Sequence, residues 1–223
     1  MNNLQILDSS ILLKYTNQSS IALVGNSGVS DIEQSIINGC GIIARFNNYA
    51  TRKNIDKTKD PYQCDILFST FDLHSVDSQP KDVVIGIPFP FKAEEILEKP
   101  MRWYPRSRHW MINPYQNMKM CLDMNIDSLG ASHPLPSLGF TALWHMRNWP
   151  IKIHVCGFNW YCNPNEKTIQ GVSIYDTKPK DSWNHNYKKE AIWIIKNLMH
   201  KDNIIFSPDC LRILNFIKIS LGI

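Results

Sequence analysis

No stretch of this chain is apolar for long enough to cross a bilayer. A span needs about 18 or more consecutive apolar residues, and none of that length occurs among the 223. The start, Met1-Asn-Asn-Leu-Gln5, has neither the basic region nor the apolar region of a signal peptide. The six cysteines, Cys40, Cys64, Cys121, Cys156, Cys162 and Cys210, include no C-x-x-C pair, which argues against a zinc site. Together these absences predict a soluble, cytoplasmic protein with free thiols. Strong charge is missing too. A net charge of +4 is not a nucleic-acid-binding face, but it suits an anionic small substrate, glycan or membrane surface. Neither G-x-G-x-x-G nor a Walker loop occurs. No Asp-x-Asp occurs, so a metal clamp on a nucleotide is not indicated. There is no internal repeat and no low-complexity tract. The length suits one α/β domain, 1–223, large enough to bury a sizeable core.

What is present is organised around Ile21-Ala-Leu-Val-Gly25-Asn-Ser-Gly-Val29. A short apolar run ending in glycines reads as a buried strand leaving the sheet through a tight turn. Ser30 or Asp31 can then cap a helix over 31–37. A strand, a glycine turn and a helix N-terminus put backbone N–H groups where a phosphate can sit. Asn26 and Ser27 add side-chain donors, and Gly28 allows close approach. A second strand follows from Ile42, with Asn47 near its polar tip.

Residues 1–20 read as a polar arm, and Arg52–Asp60 as a solvated loop. Cys64–Thr70 and Asp82–Pro88 read as two more strands. Arg102–Trp110 interleaves basic and aromatic residues. It can cover a substrate site or touch an anionic sugar, or it is a surface loop with snorkelling arginines. Tyr115–Asn125 reads as a helix. His133–Asn148 opens with prolines, places Ser137 near a helix N-terminus, and carries Phe140, Leu143 and Trp144 at helical spacing. Ile151–Phe158 is then a strand ending at Gly157. His154 and Cys156 within it read as structural.

The segment 161–182 has few apolar residues and reads as a lid or mobile segment, with Tyr175-Asp176 standing out. A helix follows, with apolar positions 191, 192, 194, 195 and 198 and Asn184 or Asn186 as its cap. His185 therefore lies at the positive end of a helix, which disfavours imidazolium. A neutral imidazole is the form a general base needs, although a His before a helix is also an ordinary capping residue. A last strand, 203–206, leads into a helix opening at Pro208. Its apolar tail docks on the core or makes peripheral contact with a membrane.

In order and spacing these blocks resemble the four sialylmotifs of the eukaryotic-type sialyltransferase family. Val24-Gly-Asn-Ser-Gly28, with Arg45-Phe-Asn47, resembles the large motif. Pro136-Ser-Leu-Gly-Phe140 with Val155-Cys-Gly-Phe158 resembles the small motif. Tyr175-Asp176 sits where the third falls, and His185 with Glu190 matches the His-x4-Glu of the very small motif.

The resemblance implies a modified GT-A-like glycosyltransferase fold, a single Rossmann-like α/β domain with a mostly parallel sheet. It implies an inverting, metal-independent transfer of sialic acid from CMP-sialic acid to a glycan hydroxyl, with no cofactor. His185 would be the base, with Glu190 and Tyr175 in support. Asn26, Ser27, Gly28, Asn47, Ser137, Gly139, Gly157 and Phe158 would line the nucleotide site.

Three departures stand out. Leu138 replaces a usual Thr, the third motif lacks its usual His, and Ile21 and Pro150 stand near where the family's disulfide cysteines would be. These suggest a bacterial relative acting on lipo-oligosaccharide or capsule, with Tyr175 or Tyr161 contacting the phosphate. The lost hydroxyl keeps CMP-Kdo open as donor. A catalytically inactive nucleotide-binding module is a further reading. An NAD-type oxidoreductase fits poorly, for want of an acidic residue suitably placed after a dinucleotide fingerprint.

Overall fold

The computed structural model describes residues 5–15, 17–47, 64–69, 80–86, 104, 106–125, 136–169, 172–175 and 185–223. The readings made on 52–60, on Thr70, on 87–88, on Arg102, Trp103 and Pro105, on His133 to Leu135, on 170–171, on Asp176 and the rest of the segment to 182, and on Asn184 lie outside them.

The core is an eight-stranded, wholly parallel sheet. Its strands are β1 (Gln5–Ile6), β2 (Ser20–Val24), β3 (Ile42–Phe46), β4 (Ile66–Ser69), β5 (Asp82–Ile85), β6 (Arg108–Met111), β7 (Lys152–Cys156) and β11 (Ile204–Phe206). They lie in the order β1-β6-β5-β4-β3-β2-β7-β11. The chain therefore steps outward from β2 to β6, then returns to lay β7 on the other edge of β2. This reversal is a topological switch point, and ligands in open α/β sheets bind outside the carboxyl ends of the strands there.

The sequence of β2 explains its central place. Its residues 21–24 are all buried, as a strand covered on both faces requires. Ile21 and Leu23 join the main core, while Ala22 and Val24 meet Ile43, Cys156 and Ile37 in a smaller cluster. Ile37 belongs to α1 (Asp31–Asn38). The main core takes in α2 (Pro114–Asp123), α3 (Leu138–Met146), α4 (Tyr187–Asn197) and α5 (Pro208–Leu221). Each of these helices begins at a short polar side chain that accepts from a backbone N–H: Ser30, Asn113, Ser137, Asn186 and Ser207. Among the described residues no helix is long and apolar enough to cross a membrane. The tail helix α5 docks through Cys210, Ile213, Leu214 and Ile217.

Three readings change. Residues 5–15 are not a polar arm. They supply β1 and a 3-10 helix (Ser9–Lys14) that buries Ile11, and Tyr15 is buried behind it. Arg108–Trp110 belongs to a core strand, with Trp110 2% exposed. Its Arg108 charge sits half-buried against the fully buried Asp82, which neutralises it. Within the predicted lid, Cys162–Asn163, Thr168–Ile169 and Val172–Ser173 form a small antiparallel sheet (β8, β9, β10). Turn residues between β8 and β9 supply the reversal, including Lys167 at φ 52°.

Candidate functional site

The carboxyl ends of β2 and β7 meet at the switch point, and the loops that leave them interlock. The Gly25 amide donates to Cys156 O at 2.8 Å, and the Ser27 amide to Gly157 O at 3.1 Å. The Ser27 hydroxyl donates to the same Gly157 carbonyl. Ser27 thus spends both of its hydrogens tying the two loops together. A Cβ on Gly25 would sit 2.3 Å from Gly157 O and 2.9 Å from the Phe158 ring, so only glycine permits this approach. Gly157 itself has φ +66°. Gly28, in contrast, has nothing within 4 Å of a would-be Cβ. It is exposed, and half-buried Asn26 lies two residues before it.

Beneath the turn lies Glu33, a buried carboxylate that sequence reasoning passed over. It accepts from the Ser30 amide at 3.3 Å while Ser30 caps α1, completing a capping box. The other side of its carboxylate takes the Gly157 amide at 2.9 Å and the Ser207 hydroxyl at the start of α5. Glu33 therefore fixes three loops at once. The Ser30-x-x-Glu33 spacing directly after a glycine turn was the signal available. Two thiols nearby are poor nucleophiles. Burial pushes Cys156 far up and Cys210 up to about 12.

Phe158 forms one wall. Its ring lies against Gly25 on one side, while a Cβ on Gly139 would be 2.6 Å away on the other. Phe46 meets it edge-on at 5.8 Å, and Trp160 lies tilted against it at 6.0 Å. Asn47 follows Phe46 in the left-handed region, φ 45°, its amide donating to Phe68 O at 2.8 Å.

The third component is the start of α3. Ser137 accepts from the Phe140 amide at 3.2 Å, and its own amide and hydroxyl donate to Glu190 at 2.6 and 2.7 Å. Glu190 lies in the first turn of α4 and is 1% exposed. Burial pushes its carboxyl up to about 7, against the two hydrogen bonds from Ser137, which pull it down. Phe140 against Trp193, edge-on at 5.4 Å, adds a second tie between the helices. The resemblance implies only a supporting role for Glu190. In the structure it holds the start of another helix, 53 residues away.

His185 is half-buried just before the α4 cap, its ring 5.6 Å from Tyr187. Tyr187 in turn lies 4.7 Å from Tyr161. Trp160 and Tyr161 are both in the left-handed region, φ 49° and 51°, a cost that surrounding contacts must carry. The structure thus joins Gly25, Ser27, Gly139, Gly157 and Phe158 directly, with Ser137 and Glu190 beside them. Tyr175 stands apart, exposed at the end of the small sheet, its amide donating to Ser173 Oγ at 3.3 Å. Among the described residues no group of three or more His, Cys, Asp or Glu side chains could hold a metal ion.

Neither protein-family models nor curated protein sequences match this chain. Solved structures do. A mammalian sialyltransferase in complex with Gal-beta-1-3GalNAc-ortho-nitrophenol has a TM-score of 0.55 at 13% identity, over 87% of this chain and 71% of that one. A second mammalian sialyltransferase structure gives 0.51, also at 13% identity, over 87% and 70%. At such identity the likeness is one of fold: this chain has a Rossmann-like α/β fold similar to that of the mammalian sialyltransferases.

Proposed function

We propose that the chain is a glycosyltransferase of the sialyltransferase type, moving sialic acid from CMP-sialic acid to a glycan hydroxyl. The observation that carries the reading is the meeting of the glycine turn, Gly157-Phe158 and the Glu190-anchored start of α3 at one switch point. The fold shared with sialyltransferases supports it. A neighbour bound to a disaccharide derivative supports a glycan acceptor.

In this reading CMP lies over the turn at Asn26 and the N-terminus of α3. The oriented N–H groups there, with the Asn26 and Asn47 side chains, stabilise the departing phosphate as charge develops on it, while Ser137, its hydroxyl given to Glu190, holds the start of α3 in place. His185 takes the proton of the acceptor hydroxyl as its oxygen attacks the anomeric carbon. The carbon–oxygen bond to CMP breaks on the opposite face, so configuration inverts. Metal independence rests on the missing Asp-x-Asp. A second reading, CMP-Kdo as donor, is kept open by Leu138. Its side chain lies 2.5 Å from where a Cβ on Gly86 would be, and it brings no hydroxyl to the site.

The test is transfer from each CMP-sugar by the parent and by His185→Ala. His185→Ala should lower kcat by roughly 10²–10⁴, the usual worth of a positioned base, with donor affinity little changed. Near-parental kcat would remove His185 as base. Use of CMP-Kdo alone would select the second donor, and failure to bind either donor would end the glycosyltransferase reading.

A further inference from the structure

A concavity of about 660 Å³ runs along α4, between it and the ends of α2 and α3. That volume is in the range of small-ligand sites, roughly 300–1,000 Å³. Lys189, Ile192, Trp193 and Lys196 line it at the i, i+3, i+4, i+7 spacing of a single helical face. Arg147, Lys201 and Asp123 complete its charges, giving four cations against one carboxylate, an excess of +3. The whole chain carries only +4, so the groove concentrates most of it.

Asp123 acts on Arg147, but the hydrogen bonds and ring contacts of these cations leave most of their charge uncompensated. Lys189 Nζ donates to Asn125 O at 3.0 Å and Lys201 Nζ to Asn148 Oδ1 at 3.1 Å. Arg147 donates to Trp144 O, with its guanidinium 3.6 Å over the Trp144 ring. All these acceptors are neutral. Among the described residues, the ion pairs involve none of the four. Three helices end at the groove, and each brings about half a negative charge. Subtracting these still leaves an excess of about +1.5. The floor is apolar: Met124 and Leu198 are buried and Trp193 is partly so. A cationic rim over an apolar floor with an indole suits an anion that carries an organic body.

We propose that this groove binds a phosphate ester, the phosphoryl group on Lys189, Lys196 and Lys201 and the organic part over Trp193. The site is concave, which fits a soluble ester better than a flat bilayer. It stands independently of the reaction proposed at the switch point. Lys196 is exposed, so its replacement spares the fold.

The experiment titrates the full chain with glucose 1-phosphate, with glucose, and with vesicles of phosphatidylglycerol and phosphatidylcholine. The readout is the tryptophan fluorescence change that Trp193→Phe removes. Glucose 1-phosphate should give a saturable change and glucose none. Lys196→Glu should weaken the phosphate ester by about tenfold or more, with CMP affinity unchanged. Equal binding by parent and Lys196→Glu, or no preference for the phosphorylated sugar, would overturn the proposal. Binding to vesicles alone would overturn it in favour of a membrane-facing role.

Discussion

The two ends of the parallel sheet bury carboxylates in opposite ways. At the amino end, Asp82 receives Arg108 Nε at 2.6 Å, the Trp110 indole at 2.7 Å and the Tyr15 hydroxyl at 2.7 Å. Asp65 beside it takes Lys81 at 2.7 Å and the Ile43 amide at 3.0 Å. These charges meet cations. At the carboxyl end, Glu33 and Glu190 bind amides and hydroxyls with no cation in contact among the described residues. A carboxylate satisfied by a cation pins a structure. One satisfied only by loop donors fixes the shape of those loops, and those loops form the candidate site. The amino end thus reads as stability and the carboxyl end as function.

The largest expected effect tests the amino end. Asp82→Ala strands the Arg108 charge and two buried donors, and should cost about 3–5 kcal/mol in urea unfolding. CMP affinity of the folded remainder should match the parent. A selective loss of CMP affinity without loss of stability would erase the division between the two ends.

Next comes Glu190. Its folded carboxyl titrates at about 7 against an ordinary 4.5. Between these values the folded chain holds a proton that the unfolded chain has lost. Stability should therefore fall as pH rises from about 4.5 to about 7, by up to roughly 3 kcal/mol, and then level off. Glu190→Gln should flatten this part of the curve of unfolding free energy against pH. An unchanged slope would show that Glu190 is not the titrating group.

The smallest effects separate two glycines three residues apart. Gly25→Ala forces a methyl onto Gly157 O and should cost about 1–3 kcal/mol, weakening CMP as the loops part. Gly28→Ala meets open space and should stay within about 0.5 kcal/mol of the parent in thermal unfolding. Equal costs at both positions would mean that the interlock is not what demands Gly25.

Where the sequence was legible, the cause was local. Four apolar residues running into Gly25 announce a central strand. Ser137 and Asn186 mark helix starts because a short polar side chain beside an apolar periodic run has few other uses. What stayed hidden depended on distant partners. Arg108 looks like loop chemistry until Asp82, 26 residues earlier, is set beside it. Ser137 and Glu190 each stand out in the sequence, but their bond joins motifs that lie 53 residues apart. The two-residue strand β1 exists only because β6 offers an edge about a hundred residues later.

The order of strands also dictates an order of assembly. During synthesis β2 to β6 emerge first and can pair neighbour to neighbour. Until Lys152–Cys156 has been made, β2 presents an unpaired edge along Ser20–Val24, apolar and without a gatekeeping charge. Such an edge invites pairing with another chain. A fragment ending at Met111 is therefore expected to aggregate in sedimentation, and a soluble monomer would refute this. The closure that shapes the glycine turn is thus the same event that ends the nascent chain's exposure to its neighbours.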